Sequence, residues 1–188
     1  MVSNRLPFAL KRATRGRWRA EAGSSAVTSP PLPVLRNRGG TWVGWPGASG
    51  EPRELARALA AAGSDAGYKL VGVPLSAAEV REFYEGFCNE VVWPLFHDLV
   101  SLCNFDPAYW RRYCEVNRRY AKAVHVRASA GDFVWVHDYQ LMNVGLELRR
   151  LGARARLGFF LHIPFPAPYV YLKLPWHAAL LDAKRQGR

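Results

Sequence analysis

The apolar positions of this chain alternate between short continuous runs and helical stripes. Phe133–Val136 and Leu157–Leu161 are continuous runs rich in β-branched and aromatic residues, the composition of strands buried on both faces. Between them Leu141, Val144, Leu148 and Leu151 recur at helical spacing, and Gly152 follows where helices often end. Strand, helix and strand in that order predict a right-handed βαβ unit. Upstream, Thr41–Trp45 and Lys69–Val73 read as strands. Glu51–Ala62 reads as a helix with Pro52 near its start and Gly63 behind it. Ser76 and Glu79 form a capping box, and the helix they open carries Val80, Phe83, Phe87 and Val91 on one face. Trp93-Pro94 should interrupt that helix, because the residue before proline disfavours helical angles. Asp106-Pro107 opens another, with a stripe of Tyr109, Tyr113, Val116, Tyr120 and Val124.

The remaining stretches are less regular. Met1 and Val2 read as the end of a first strand that is nearly all missing. Ala9–Arg19 is basic and turn-like, and Ala22–Pro33 is a loop or an interrupted helix start. Tyr169–Leu174 forms a helical turn, and Pro175 opens one more short helix through Leu181. The reading is an α/β fold with a parallel, Rossmann-like sheet over residues 1–188.

Composition narrows the class. A chain of 188 residues with 49% apolar content is large enough for a core and too apolar for disorder. Its 26 basic and 15 acidic residues give a net charge of +11, which suits an anionic partner such as a phosphate. Nucleic acid is disfavoured as that partner, because the aromatic residues sit in apolar stripes rather than among the clustered cations. Cys88, Cys103 and Cys114 have no metal-like spacing and read as reduced thiols of a cytosolic protein. No apolar leader region and no run of 18 apolar residues are visible, so neither a signal peptide nor a membrane span is expected.

Candidate chemistry lies at strand ends, where open α/β sheets bind ligands. His137-Asp138 follows the first run of the βαβ unit and His162 the second, so Asp138 and His162 can share one cleft. A His–Asp pair there can orient a hydroxyl or a proton donor. The alternatives are an aspartate that caps the next turn and a structurally satisfied histidine. Tyr84 and Trp93 offer flat faces for a sugar, or for the core. Nine residues of a continuous α-helix turn through about 900°, so the two would face opposite sides unless the chain breaks before Pro94. Arg5 can hold a phosphate with its planar fork. The glycines form no phosphate loop.

The segments VSNRLP, RGGTWVGWPG, YEGFCNEVVWPLFH, FVWVHDYQLM and LGFFLHIPFP, in that order, resemble the trehalose-6-phosphate synthases of glycosyltransferase family 20. The resemblance spans nearly the whole chain. It implies a transferase that moves glucose from UDP-glucose to glucose 6-phosphate with retention, without metal or other cofactor. It implies two Rossmann-like domains facing a cleft, of which this chain is the acceptor-binding N-terminal portion, incomplete at both ends. By the same resemblance Arg5 contacts the acceptor phosphate, Tyr84, Trp93 and Asp138 surround glucose 6-phosphate, and His162 lies near the donor glucose. A cytoplasmic location is expected, and the full-length enzyme has room to be a homo-oligomer.

Two departures stand out. Ser24-Ser25-Ala26 occupies the place of a Gly-Gly-Leu turn that approaches the donor phosphates. The chain also stops at Arg188, before the domain that supplies most groups for UDP-glucose. The expectation is an inactive fragment. The rival from another class is a noncatalytic sugar-phosphate binding or regulatory module.

Overall fold

A computed structural model of the chain describes residues 1–13, 18–22, 32–48 and 50–185. They pack as two compact units, Met1–Leu75 and Ser76–Arg188.

The first unit opens with strand β1 (Val2–Arg5). The Met1 ammonium donates to Thr41 O at 2.8 Å. Next comes an antiparallel hairpin of β2 (Phe8–Arg12) and β3 (Trp18–Ala22), where a turn-like segment was expected. Alternation decides it. Leu10 points into the core while Lys11 reaches across to Glu21 in a solvent-facing ion pair at 2.8 Å. Helix α1 covers Leu32–Arg38, and β4 (Thr41–Trp45) follows with the expected bounds.

Helix α2 runs Pro52–Ala66, past Gly63, where the sequence suggested its end. Gly63 serves packing instead: a Cβ there would lie 2.7 Å from Tyr68 O. The helix ends one turn later at Gly67, whose φ of 83° is the left-handed cap conformation. Strand β5 (Lys69–Gly72) pairs parallel with β4, and β4 pairs parallel with β1. Leu6, Leu10, Leu35, Trp42, Leu55, Leu59, Tyr68 and Leu70 form the core of this unit.

The second unit begins with the predicted capping box. Glu79 N–H donates to Ser76 Oγ at 3.2 Å, and Ser76 N–H to the Glu79 carboxylate at 2.8 Å. Helix α3 (Ala77–Glu79) then passes into a π-helix over Val80–Val92 and on into α4 (Trp93–Phe96). Trp93-Pro94 therefore does not interrupt the helix. Pro94 sits in the first turn of α4, where its missing N–H is cheapest, and Trp93 keeps helical angles of −59° and −53°. Helix α5 (Pro107–His125) is capped by Asp106, which accepts from Ala108 N–H at 2.7 Å. Phe87 packs on Tyr113 of α5 with ring centroids 4.3 Å apart.

Strand β6 (Phe133–His137) pairs parallel with β7 (Arg156–Phe160). A single 3₁₀ turn (Tyr139–Leu141) and helix α6 (Val144–Arg150) connect them, where one helix from Leu141 was expected. The two strands are less buried than their composition suggested. Phe133 is 54% exposed, and Phe159 and Phe160 are 39% and 48% exposed. Short helices α7 (Pro168–Tyr171) and α8 (His177–Arg185) close the described chain.

Candidate functional site

The chemistry gathers where β6 ends. His137 is the last ladder residue, opposite Phe160, and the Asp138 N–H extends the ladder by donating to Phe160 O at 2.7 Å. The chain then turns sharply. Asp138 has a φ of 74°, costly for a residue with a Cβ and common at ligand sites. Its own carboxylate holds the turn: Oδ1 accepts from Tyr139 N–H at 3.0 Å and from His162 N–H at 3.2 Å. The capping role weighed for this aspartate is therefore real. It uses only one oxygen, because Oδ2 accepts nothing among the described residues. Burial raises the Asp138 pKa, and the two backbone donors oppose that rise.

His162 follows β7, and its ring meets His137, with His137 Nδ1 3.1 Å from His162 Nε2. The rings lie 26° from parallel. His137 is buried, and burial together with the neighbouring His162 lowers its pKa to about 4. It is neutral at neutral pH.

The π-helix carries Tyr84, and Trp93 directly follows its last residue. Its i→i+5 winding is seen where Trp93 N–H donates to Cys88 O. Nine residues are two and a half α-turns, but about two π-turns of roughly 4.4 residues each, so Tyr84 and Trp93 return to nearly the same side. The winding, and not a break at Pro94, sets their relative directions. The same helix lies against the Asp138 turn: Tyr139 Oη donates to Asn89 Oδ1 at 3.5 Å. Burial, and secondarily the Asp138 charge, push the Cys88 thiol pKa well up. Tyr139 is raised by burial, with Cys88, Asp138 and Tyr84 adding to it. Tyr84 and Asp138 thus share one neighbourhood. Trp93 is 42% exposed. One face of its indole is covered by His97, whose ring stacks at 4.1 Å and whose Nδ1 lies 2.7 Å from Trp93 O.

Arg5 belongs to the first unit. It ends β1 opposite Trp45 at the end of β4, and its guanidinium lies 4.5 Å from the centre of the Trp45 ring. The side chain is exposed at the carboxyl end of its strand. The serine of the same segment is structural: Trp42 Nε1–H donates to Ser3 Oγ at 2.7 Å. Ser24 and Ser25 lie outside the described residues.

Sequence reasoning missed Trp45, His97 and the His137–His162 contact. His97 was findable, since it stands four residues after Trp93 on a helix. Trp45 was findable from its strand-end position. The histidine contact was not, because it depends on how β6 and β7 pair. Among the described residues no group of three or more His, Cys, Asp or Glu side chains is placed to hold a metal ion. No described helix is long and apolar enough to cross a membrane.

Parallel strands, crossover helices and polar groups at strand carboxyl ends define an α/β protein of Rossmann-like type. Within that class the sequence model of glycosyltransferase family 20 matches residues 1–184, and the chain belongs to this family. It is 40% identical over 184 residues to a trehalose-6-phosphate synthase of Mycolicibacterium gilvum, covering 97% of this chain and 36% of the relative. The Escherichia coli trehalose-6-phosphate enzyme bound with UDP-2-fluoro glucose superposes with a TM-score of 0.78 at 30% identity, covering 98% of this chain and 37% of that one. A UDP-forming synthase from Burkholderia xenovorans, in complex with glucose-6-phosphate, gives 0.77 at 29% identity, covering 98% and 38%. The chain therefore spans little more than a third of the length of these relatives.

Proposed function

We propose that these 188 residues are the acceptor-binding portion of a UDP-forming trehalose-phosphate synthase, which transfers glucose from UDP-glucose to glucose 6-phosphate with retention. The observation that carries the proposal is the Asp138 turn. A carboxylate fixed through Oδ1 by two backbone donors keeps Oδ2 for a sugar hydroxyl, with no reorganisation when the ligand arrives. Tyr84 and Trp93 supply flat apolar faces for the sugar ring, and Arg5 a fork for the phosphate. His162 serves the donor glucose, and in sequence Ser24-Ser25 takes the place of the family's Gly-Gly at the donor phosphates. In the complete enzyme these groups act by position and electrostatics, holding two sugars while UDP departs. Relatives solved with glucose-6-phosphate and with UDP-2-fluoro glucose support the choice of substrates. The reading includes a cytoplasmic location and a homo-oligomer at full length.

The same reading assigns most UDP-glucose contacts to the part of the relatives that this chain does not span. Titration of the chain with glucose 6-phosphate should show weak saturable binding that Asp138→Asn abolishes. Equal binding by both would remove Asp138 from the acceptor site. A coupled assay should detect no UDP release, since holding one substrate does not lower the barrier for transfer. Glucose 6-phosphate-dependent UDP release would overturn the division between acceptor and donor portions. Glucose 6-phosphate binding with no donor site in any longer form of the protein would favour a noncatalytic sugar-phosphate module.

A further inference from the structure

The contact between His137 and His162 contains more than proximity. The two rings, 3.1 Å apart, share one proton between His137 Nδ1 and His162 Nε2. Two arrangements satisfy that bond. In one, His162 Nε2–H donates, and His137 must then carry its proton on Nε2. In the other, His137 Nδ1–H donates, and His137 Nε2 is a bare acceptor.

The surroundings of His137 choose between them. Its Nε2 is buried and has no hydrogen-bond partner among the described residues. The first arrangement leaves an orphaned N–H in the interior, which native structures rarely tolerate. The second leaves only an unused lone pair, which they tolerate more often. The ring cannot turn freely to escape, because Trp135 and Phe160 pack near it with centroids at 4.5 and 6.3 Å. The depressed basicity of His137 agrees, since the charged ring would bury the same orphan N–H along with a charge.

We propose that His137 is a positioning residue: its Nδ1–H donates to His162 Nε2 and holds His162 in the Nδ1–H tautomer. His162 thereby becomes a fixed hydrogen-bond donor, through Nδ1, for an oxygen of a ligand at the strand ends. A free imidazole offers either nitrogen as donor and loses part of its binding strength in choosing. The hydrogen bond made by the second nitrogen removes that choice before the ligand arrives. The chemistry that such a donor recognises is a neutral hydroxyl or ring oxygen. The inference deepens the reading of His162 as a donor-sugar contact and rests on it for the ligand, though the tautomer itself does not.

Two-bond nitrogen–proton correlation spectra of the ¹⁵N-histidine-labelled chain at neutral pH read each ring directly. The expected result is the Nδ1–H pattern for both His137 and His162. His137→Asn keeps an N–H donor near the Nδ1 position and should preserve the His162 pattern. His137→Phe removes it and should move His162 to a mixture of tautomers or to the Nε2–H form. An Nε2–H pattern at His162 in the unsubstituted chain overturns the proposal, as does an unchanged pattern in His137→Phe. The measurement on the unsubstituted chain decides the matter even where a variant fails to fold. Adding UDP-glucose to a labelled longer form of the protein that includes the donor portion supplies a separate arm. If the tautomers are as expected and the His162 signals ignore UDP-glucose, the positioning role stands and the donor-sugar reading of His162 falls.

Discussion

Arg5 and Asp138 both stand at the carboxyl end of a parallel strand, yet the protein holds them in opposite ways. Arg5 is exposed and stacked on an aromatic face. Asp138 is 4% exposed, held at positive φ, and tied by two backbone donors. A phosphate is large, doubly charged and reachable from many directions, and an exposed cation suffices for it. A hydroxyl needs an acceptor at one point in space, and that demands a rigid carboxylate. The comparison teaches that strand-end position marks candidates, while the manner of restraint separates a charge contact from a geometric one.

The largest effect should come from breaking the rigid member. Asp138→Ala removes the acceptor for two N–H groups and keeps the unfavourable φ, so it should destabilise by about 2–3 kcal/mol. Acceptor binding should fall by roughly 100-fold, the range for losing a charged hydrogen bond in a closed site. Asp138→Asn sharpens the test, because its Oδ1 still accepts both N–H groups. It should keep most of the stability and lose the binding. Urea midpoints and glucose 6-phosphate titrations measure the two parts, and a binding loss that tracks stability alone would erase the contrast with Arg5.

Arg5→Ala should weaken acceptor binding by about 10-fold, with the loss largest at low salt. Its stability cost should be about 1 kcal/mol or less, the scale of an exposed cation–π contact. A larger loss of stability in a denaturant melt would show that Arg5 is as structural as Asp138.

Acid should separate the buried groups from one another. His137 has a folded pKa of about 4 against an ordinary 6.5, so the unfolded chain binds more protons between those values. Stability should therefore drop as pH falls from about 6.5 toward 4. Glu79 is a different case. Burial would raise its pKa, but hydrogen bonds from Arg119 and the Ser76 N–H outweigh that and lower it to about 2. Its contribution is lost as pH falls from about 4.5 toward 2. Urea midpoints across pH should show two steps, and His137→Asn should flatten only the upper one.

The smallest effect concerns a segment outside the described residues. Replacing Ser24-Ser25 by Gly-Gly in a full-length context should tighten UDP-glucose binding by about two- to threefold, through closer backbone approach to phosphate. Equal affinities by titration would show that serine is accommodated there.

Local signals carried well into the structure wherever one residue's chemistry decided the outcome. The Ser76–Glu79 box, the Asp106 cap and the Thr41–Trp45 strand all stand where the pattern placed them. The alternation of Phe8 and Leu10 was legible but masked by the basic residues between and around them. The end of α2 was misjudged because Gly63 has two readings, helix stop and close contact, and only the nearby Tyr68 carbonyl distinguishes them.

The sequence alone determined the class of fold, the family resemblance and the strand-end residues, because caps, turns and periodicity are written in neighbouring side chains. Tertiary structure alone decided which of those residues meet. The π winding that returns Trp93 to the side of Tyr84 depends on how residues 80–92 pack against α5, since i→i+5 bonding has no strong local code. The split use of the Asp138 carboxylate, and the proton shared by His137 and His162, depend on β7 arriving beside β6. Contacts between residues 24 and 25 positions apart exist only after the strands have paired, and nothing in either segment by itself records them.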